Sequence, residues 1–188
     1  MGRFERSIRS GVMQYQYSDK ELKQLLSSLT VIIDTREQQN SHVTDYLDKH
    51  KISHISKKLD YGDYSCMLPV NLELGIIRDA YFTDTVAVER KNSLDELSNN
   101  LTKNRVQFES ELIRSHGCKL FLMIEDSSYS DIVNHNYRSQ YDPKSFIATL
   151  ATYSARYNLN VNFVTSNCAG NFIYFTLLYA VREYLKRG

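Results

Sequence analysis

Short continuous apolar runs alternate with stretches of helical period along most of the chain, and this alternation limits the fold more than any other feature. Val31-Ile32-Ile33 and Leu120-Phe121-Leu122-Met123-Ile124 are too short for buried helices and have the unbroken apolar character of strands covered on both faces. Residues 86–91 read as another strand, 52–59 as a further one, and Leu159, Val161 and Phe163 alternate as a last one. Helix signals lie between them. Ser18 with Glu21 forms a capping-box pattern ahead of Leu22, Leu25, Leu26 and Leu29, which predicts a helix over 18–29. Helical spacing resumes over 43–49, and Ser93 with Glu96 opens a helix carrying Leu94, Leu97 and Leu101. A helix over 104–116 is closed by Gly117. Asp142-Pro143 starts a helix with Phe146, Leu150, Tyr153 and Tyr157 on one face, and an apolar-rich helix over 171–186 follows. The chain is therefore expected to form an α/β domain over 18–188, a central, mainly parallel sheet flanked by helices. A flexible basic arm, 1–17, with Arg3, Arg6 and Arg9, is expected to precede it. In such folds the polar residues at strand ends are the natural site.

A chain of 188 residues can bury one core without disulfides or a structural metal. Lys and Arg number 23 against 22 Asp and Glu, a net charge of +1, so any contact with nucleic acid must rest on charge arranged locally. Cys66, Cys118 and Cys168 are odd in number, widely spaced and form no C-x-x-C pair, so they read as small buried hydrophobes in a reducing compartment. No apolar stretch reaches the roughly 18 residues of a membrane span, and the N-terminus lacks a signal-peptide core. The expectation is an intracellular protein with no membrane partner, cytoplasmic in a prokaryote or virus and nuclear in a eukaryote.

Acidic residues recur at the edges of the predicted strands: Asp34 and Glu37 in Asp34-Thr35-Arg36-Glu37, Asp63 in Gly62-Asp63-Tyr64, and Glu89 in Glu89-Arg90-Lys91. On a strand, Glu89 and Lys91 project to one side and Arg90 to the other. Carboxylates held together repel one another, an arrangement that makes sense if a cation sits among them. Oxygen ligands with no Cys or His cluster select a hard ion, Mg²⁺ or Mn²⁺. Such an ion, with a lysine two residues after a ligating carboxylate, is suited to hydrolysing a phosphodiester: the metal activates a water and the lysine orients it or balances the growing negative charge.

The spacing of Asp63, Glu89 and Lys91 resembles the active-site pattern of the PD-(D/E)xK, or restriction-endonuclease-like, nucleases. Taken in order, Val31-Ile32-Ile33-Asp34-Thr35-Arg36-Glu37, Gly62-Asp63-Tyr64 and Val88-Glu89-Arg90-Lys91 with Leu94-Asp95 resemble the nuclease domain of the XPF-type structure-specific endonucleases, over about 31–185. The resemblance implies that Asp63 and Glu89 are metal ligands and Lys91 the water-orienting cation. It implies that Asp34 and Glu37 shape the metal site, directly or through waters, which makes Asp34 a third candidate ligand. Arg36 and Arg90 would meet phosphates or pair with these carboxylates, and Asp95 and Arg105 would stand near the site. The implied activity is Mg²⁺-dependent cleavage of branched, flap or junction DNA, with Mn²⁺ able to substitute and no nucleotide cofactor. The implied assembly is a homodimer or heterodimer.

Two departures accompany the resemblance. Asp63 and Glu89 are 26 positions apart, which reads as an insertion over 65–85, and no helix-hairpin-helix module follows before Gly188. The other readings are a non-catalytic DNA-binding or scaffold subunit and a restriction-like cutter of plain duplex. Tyr129, Tyr137 and Tyr141 lie in a loop-like stretch that could stack on unpaired bases or pack as a surface loop. Phe146, Leu150, Phe172, Phe175 and Tyr179 on the last two helices offer apolar surface for a dimer or for the core, and all five histidines read as structural or exposed.

Overall fold

Ser18 accepts a hydrogen bond from the Glu21 amide while the Glu21 carboxylate takes the Ser18 N–H, and this reciprocal cap starts the first helix, α1 (Asp19–Leu26). The computed structural model describes residues 16–187; the expected arm and its arginines fall almost wholly on residues 1–15, outside that range. After α1 come β1 (Thr30–Ile33), α2 (Ser41–Lys49), β2 (His54–Ser56), β3 (Tyr64–Leu68), β4 (Ala80–Tyr81) and β5 (Val86–Lys91). They are followed by α3 (Leu94–Leu101), α4 (Arg105–Arg114), β6 (Lys119–Glu125), α5 (Tyr129–Val133), α6 (Pro143–Tyr157), β7 (Asn160–Val164) and α7 (Ala169–Arg187). The predicted caps are present at the later helices as well: Ser93 accepts from the Glu96 amide and Asp142 from the Ser145 amide.

The expected sheet flanked by helices is present, in the order β2-β1-β3-β5-β6-β7 with β4 paired to β3. Its pairing is mixed where a mainly parallel sheet was expected. β1 with β2, β5 with β6 and β6 with β7 run parallel, but β3 is antiparallel to β1, β4 and β5. The cause is the short link from β2 to β3: residues 57–63 cannot span the crossover of a dozen or more residues that a parallel return requires. Residues 65–68 of the stretch read as an insertion are buried central strand, and the chain leaves the sheet only over 69–79 before β4 returns it.

Alternation along the strands divides the core. Val31 and Ile33, Tyr64, Cys66 and Leu68, and Val86 and Val88 face α1, α2 and α7, where they meet Leu25, Val43, Leu47, Ile173 and Leu177. Ala87, Leu120, Leu122 and Ile124 face α3, α4 and α6. Phe146 and Leu150 belong to this second core, so of the residues considered for a dimer only Phe175 and Tyr179 on α7 are substantially exposed. Tyr137 and Tyr141 pack on Phe146, with ring centroids 5.4 and 5.3 Å away, as partly buried rings at the edge of this core, whereas Tyr129 is exposed. Cys66 and Cys118 are buried as expected, while Cys168 is exposed. Among the described residues no helix is long and apolar enough to cross a membrane.

Gly170 sets the contact of α7 with α2, because a Cβ there would lie 2.6 Å from the Tyr46 Cβ. Gly170→Ala is expected to cost about 1–3 kcal/mol through overpacking. Thermal denaturation should show a Tm lower by several degrees; an unchanged Tm would show that α7 can shift freely.

Candidate active site

Three chain segments meet where β1 and β5 end. Gly62 turns the chain into β3 with φ +71°, and a Cβ there would come 3.0 Å from the Ala87 Cβ and 3.4 Å from the Val88 carbonyl. Only glycine suits both the left-handed backbone and the close approach. The turn lays Asp63 between the neighbouring strands: its N–H donates to the Val88 carbonyl at 2.9 Å, and its carbonyl accepts from the Asp34 N–H at 2.8 Å. The Asp63 carboxylate is oriented by β5 as well, since the Arg90 N–H donates to its Oδ2 at 2.8 Å.

Strand β5 carries three charged residues that are nearly inaccessible: Glu89, Arg90 and Lys91 are 7%, 8% and 6% exposed. Such burial is costly unless the charges are paired. Glu89 and Lys91 share the face of Ala87, toward α3 and α4, and the Lys91 Nζ lies 2.6 Å from the Glu89 Oε1 and 5.5 Å from the centre of the Phe108 ring. Burial pushes the Asp63 carboxyl well above its ordinary range, and the charge of Glu89 pushes it further, against the opposing pull of Lys91 and the Arg90 N–H. Burial acts to lower the Lys91 ammonium, but the charges of Glu89 and Asp63 outweigh it and hold the lysine protonated.

Arg90 projects to the opposite face, toward α2 and α7. There its Nε and Nη2 make a two-pronged contact with Glu125, at 2.8 and 2.6 Å, and its Nη1 donates to Glu37 at 3.2 Å. His42, at the start of α2, lies 2.8 Å from the same Glu125 through its Nε2. Of the two roles open to Arg90, the structure thus shows carboxylate pairing. Glu37, half-buried, is raised by burial more than Arg90 lowers it.

Asp34 has both carboxylate oxygens engaged: Oδ1 accepts from the Arg36 N–H and Nε at 2.8 and 2.7 Å, and Oδ2 from the Leu59 N–H at 2.6 Å. Burial raises its carboxyl, but these hydrogen bonds prevail and leave it below the usual range. Its side chain fastens the loop before β3 through both oxygens. Arg36, on Asp34 and the Leu59 carbonyl, keeps a side chain 57% exposed beside the site. Asp95 holds the loop between α5 and α6, accepting from the Arg138 N–H and Nε and the Ser139 N–H. Arg105 pairs with Glu109 on α4. Among the described residues, no hydrogen bond or ion pair joins Asp95 or Arg105 to Asp63, Glu89 or Lys91.

Glu125 and His42 were not singled out from the sequence. A signal for Glu125 existed, since it closes an apolar run as Asp34 closes its own, but its partner is 35 positions away.

Comparison with known proteins bears on this arrangement. The family model of the ERCC4 domain matches residues 33–176. The chain belongs to the ERCC4 domain family. This ERCC4 domain also has the fold of solved XPF structures, as the sequence resemblance implied. XPF from Aeropyrum pernix matches with a TM-score of 0.53 and 23% identity, over 84% of this chain and 60% of that one. The same protein in complex with DNA matches with a TM-score of 0.53 and 22% identity, over 84% of this chain and 63% of that one. The chain thus spans about 60% of the length of those structures. None of the curated proteins searched matches it in sequence.

Asp63 and Glu89 fit a hard divalent ion. The Asp63 Oδ1 and Glu89 Oε2 accept no hydrogen bond from the described residues, and the two carboxylates are close enough that the Glu89 charge adds to burial in raising the Asp63 carboxyl. Among the described residues no three His, Cys, Asp or Glu side chains converge to enclose an ion. Two carboxylates suffice for Mg²⁺, which keeps several waters of its own.

Proposed function

We propose that this ERCC4 domain is a metal-dependent DNA endonuclease that hydrolyses a phosphodiester in branched or flap-containing DNA. The observation that carries the reading is the Asp63–Glu89 pair, its carboxyls crowded where the Gly62 turn enters β3 beside β5, with Lys91 on the Glu89 face. The DNA complex of the Aeropyrum pernix XPF supports DNA as the substrate.

Asp63 and Glu89 would hold Mg²⁺, or Mn²⁺ in its place, and the ion supplies polarisation of the phosphate and an acidified water. Lys91 is fixed by Glu89 with its ammonium protonated, so it can hold a water or a phosphate oxygen and offset charge as the pentacovalent arrangement forms. Glu37, with its affinity for protons raised and one bond to Arg90, is placed to accept a hydrogen bond from a water at the rim. The exposed guanidinium of Arg36 offers donors to the strand being cut. Phe175 and Tyr179, stacked on each other on the exposed side of α7, leave an aromatic face that suits a second subunit, which would add grip on DNA.

The test is a panel of end-labelled DNAs of matched sequence, comprising linear duplex, 3′ flap, fork and four-way junction, incubated with Mg²⁺ or with EDTA. Cleavage of the flap or fork, abolished by EDTA, is expected. Equal cutting of plain duplex would favour a restriction-like enzyme. Binding without cleavage of any DNA would favour a scaffold subunit and sink the proposal.

A further inference from the structure

We propose that Glu125, oriented by His42, is a positioning residue of the active site: by taking the Arg90 fork from the face opposite Glu89 and Lys91, it limits Arg90 to a single bond on Glu37 and leaves Asp63 for metal and the second Glu37 oxygen for water. This inference rests on the nuclease reading above. Its geometric basis is that Arg90 is connected to the site twice. Its backbone N–H orients the Asp63 carboxylate, and its side chain reaches Glu37. Where residue 90 sits therefore decides where Asp63 points.

Two carboxylates, Glu37 and Glu125, compete for the single guanidinium. Glu125 is 3% exposed and takes the fork with two short bonds, whereas Glu37 receives one long one. A buried guanidinium does not go unpaired. With the charge of Glu125 removed, Arg90 would turn its fork to Glu37, withdraw that carboxylate from the water at the site and pull the residue-90 backbone from Asp63. His42 keeps Glu125 in register, since its Nε2 shares Oε1 with the Arg90 Nε at the same 2.8 Å. The two residues thus stand to Arg90 as an outer-sphere partner stands to a metal ligand, an arrangement whose loss commonly weakens metal binding 10–100-fold.

The experiment measures Mn²⁺ binding by calorimetry to the intact chain, as wild type, Glu125→Gln, Glu125→Asp and His42→Ala, with circular dichroism and Tm recorded for each. Glu125→Gln is expected to weaken Mn²⁺ binding by about tenfold or more per folded molecule. It should raise the Mg²⁺ needed for half-maximal cleavage in step. Glu125→Asp should recover part of the loss, and His42→Ala should show a smaller loss of the same kind. A merely structural Glu125 would lower Tm and leave the Mn²⁺ Kd untouched, and that result overturns the inference. Should Glu125→Gln fail to fold, His42→Ala, whose side chain is partly exposed, decides: an unchanged Kd overturns it equally. Failure of the wild type to bind Mn²⁺ is a different outcome, which removes the metal-site reading and this inference with it.

Discussion

Asp63→Asn is expected to abolish cleavage while making the metal-free protein more stable. The loss should be about a thousandfold or more, the equivalent of several kcal/mol of metal-borne stabilisation of the developing phosphate charge. The gain in stability has a separate cause. Burial and the charge of Glu89 raise the Asp63 carboxyl, so the folded protein holds that proton to higher pH than the unfolded chain does. From the ordinary carboxylate range, about pH 4, up to the raised value, each step up in pH then favours the unfolded chain, and above it the penalty stays constant. Asparagine removes the penalty. Melting curves in EDTA across pH 4–8 should show a decline in wild-type Tm that is smaller in Asp63→Asn, with Mg²⁺ raising Tm in the wild type only. Other carboxyls contribute to the wild-type curve in both directions, Glu37 as Asp63 does and Asp34 and Glu125 oppositely, and the comparison of the two proteins isolates Asp63. A variant that cuts at the wild-type rate would remove Asp63 from the metal site, and one that melts lower at pH 8 in EDTA would show that the Asp63 charge carries no penalty in the folded protein.

Arg90→Ala is expected to be the most destabilising single change at the site, by about 3–5 kcal/mol. It leaves Glu125 and Glu37 buried without the guanidinium that pairs them. Denaturation in urea at pH 7.5 checks the magnitude, and the deficit should shrink toward pH 4 as Glu37 and then Glu125 take up protons. For Glu125, whose carboxyl is raised by burial but held low overall by Arg90 and His42, the native contribution is present above the ordinary range and lost as pH falls through its lowered value. The double replacement Arg90→Met with Glu125→Leu, which fills similar volume without charge, should regain most of the stability. It should not regain cleavage, because Glu37 would stay unanchored. A cost below about 1 kcal/mol for Arg90→Ala would mean that water reaches the network and screens it.

Local structure is more legible in this chain than its long-range pairings. Ser18, Ser93 and Asp142 were legible as caps because a cap is satisfied within three residues of itself. Strand 86–91 was legible to the residue, and with it the separation of Glu89 and Lys91 from Arg90, because the side-chain period of a strand is two. The family resemblance was legible for the same reason, since its letters lie at strand ends that the apolar runs mark. The strand expected over 52–59 shrank to His54–Ser56, as this edge segment pairs on one side only, with β1.

What the chain determined by itself, then, was most of the strands and helices, though not β3, β4 or α5, the caps that begin α1, α3 and α6, and the acidic residues gathered where strands stop. Only the tertiary structure decided that β3 runs against its neighbours, that Asp34 reaches Leu59 while Asp63 meets β5, and that Arg90 and His42 both find Glu125. Those contacts join residues 25, 27, 35 and 83 positions apart. No local propensity encodes them: they follow from sheet order and register, and these depend on both cores packing at once.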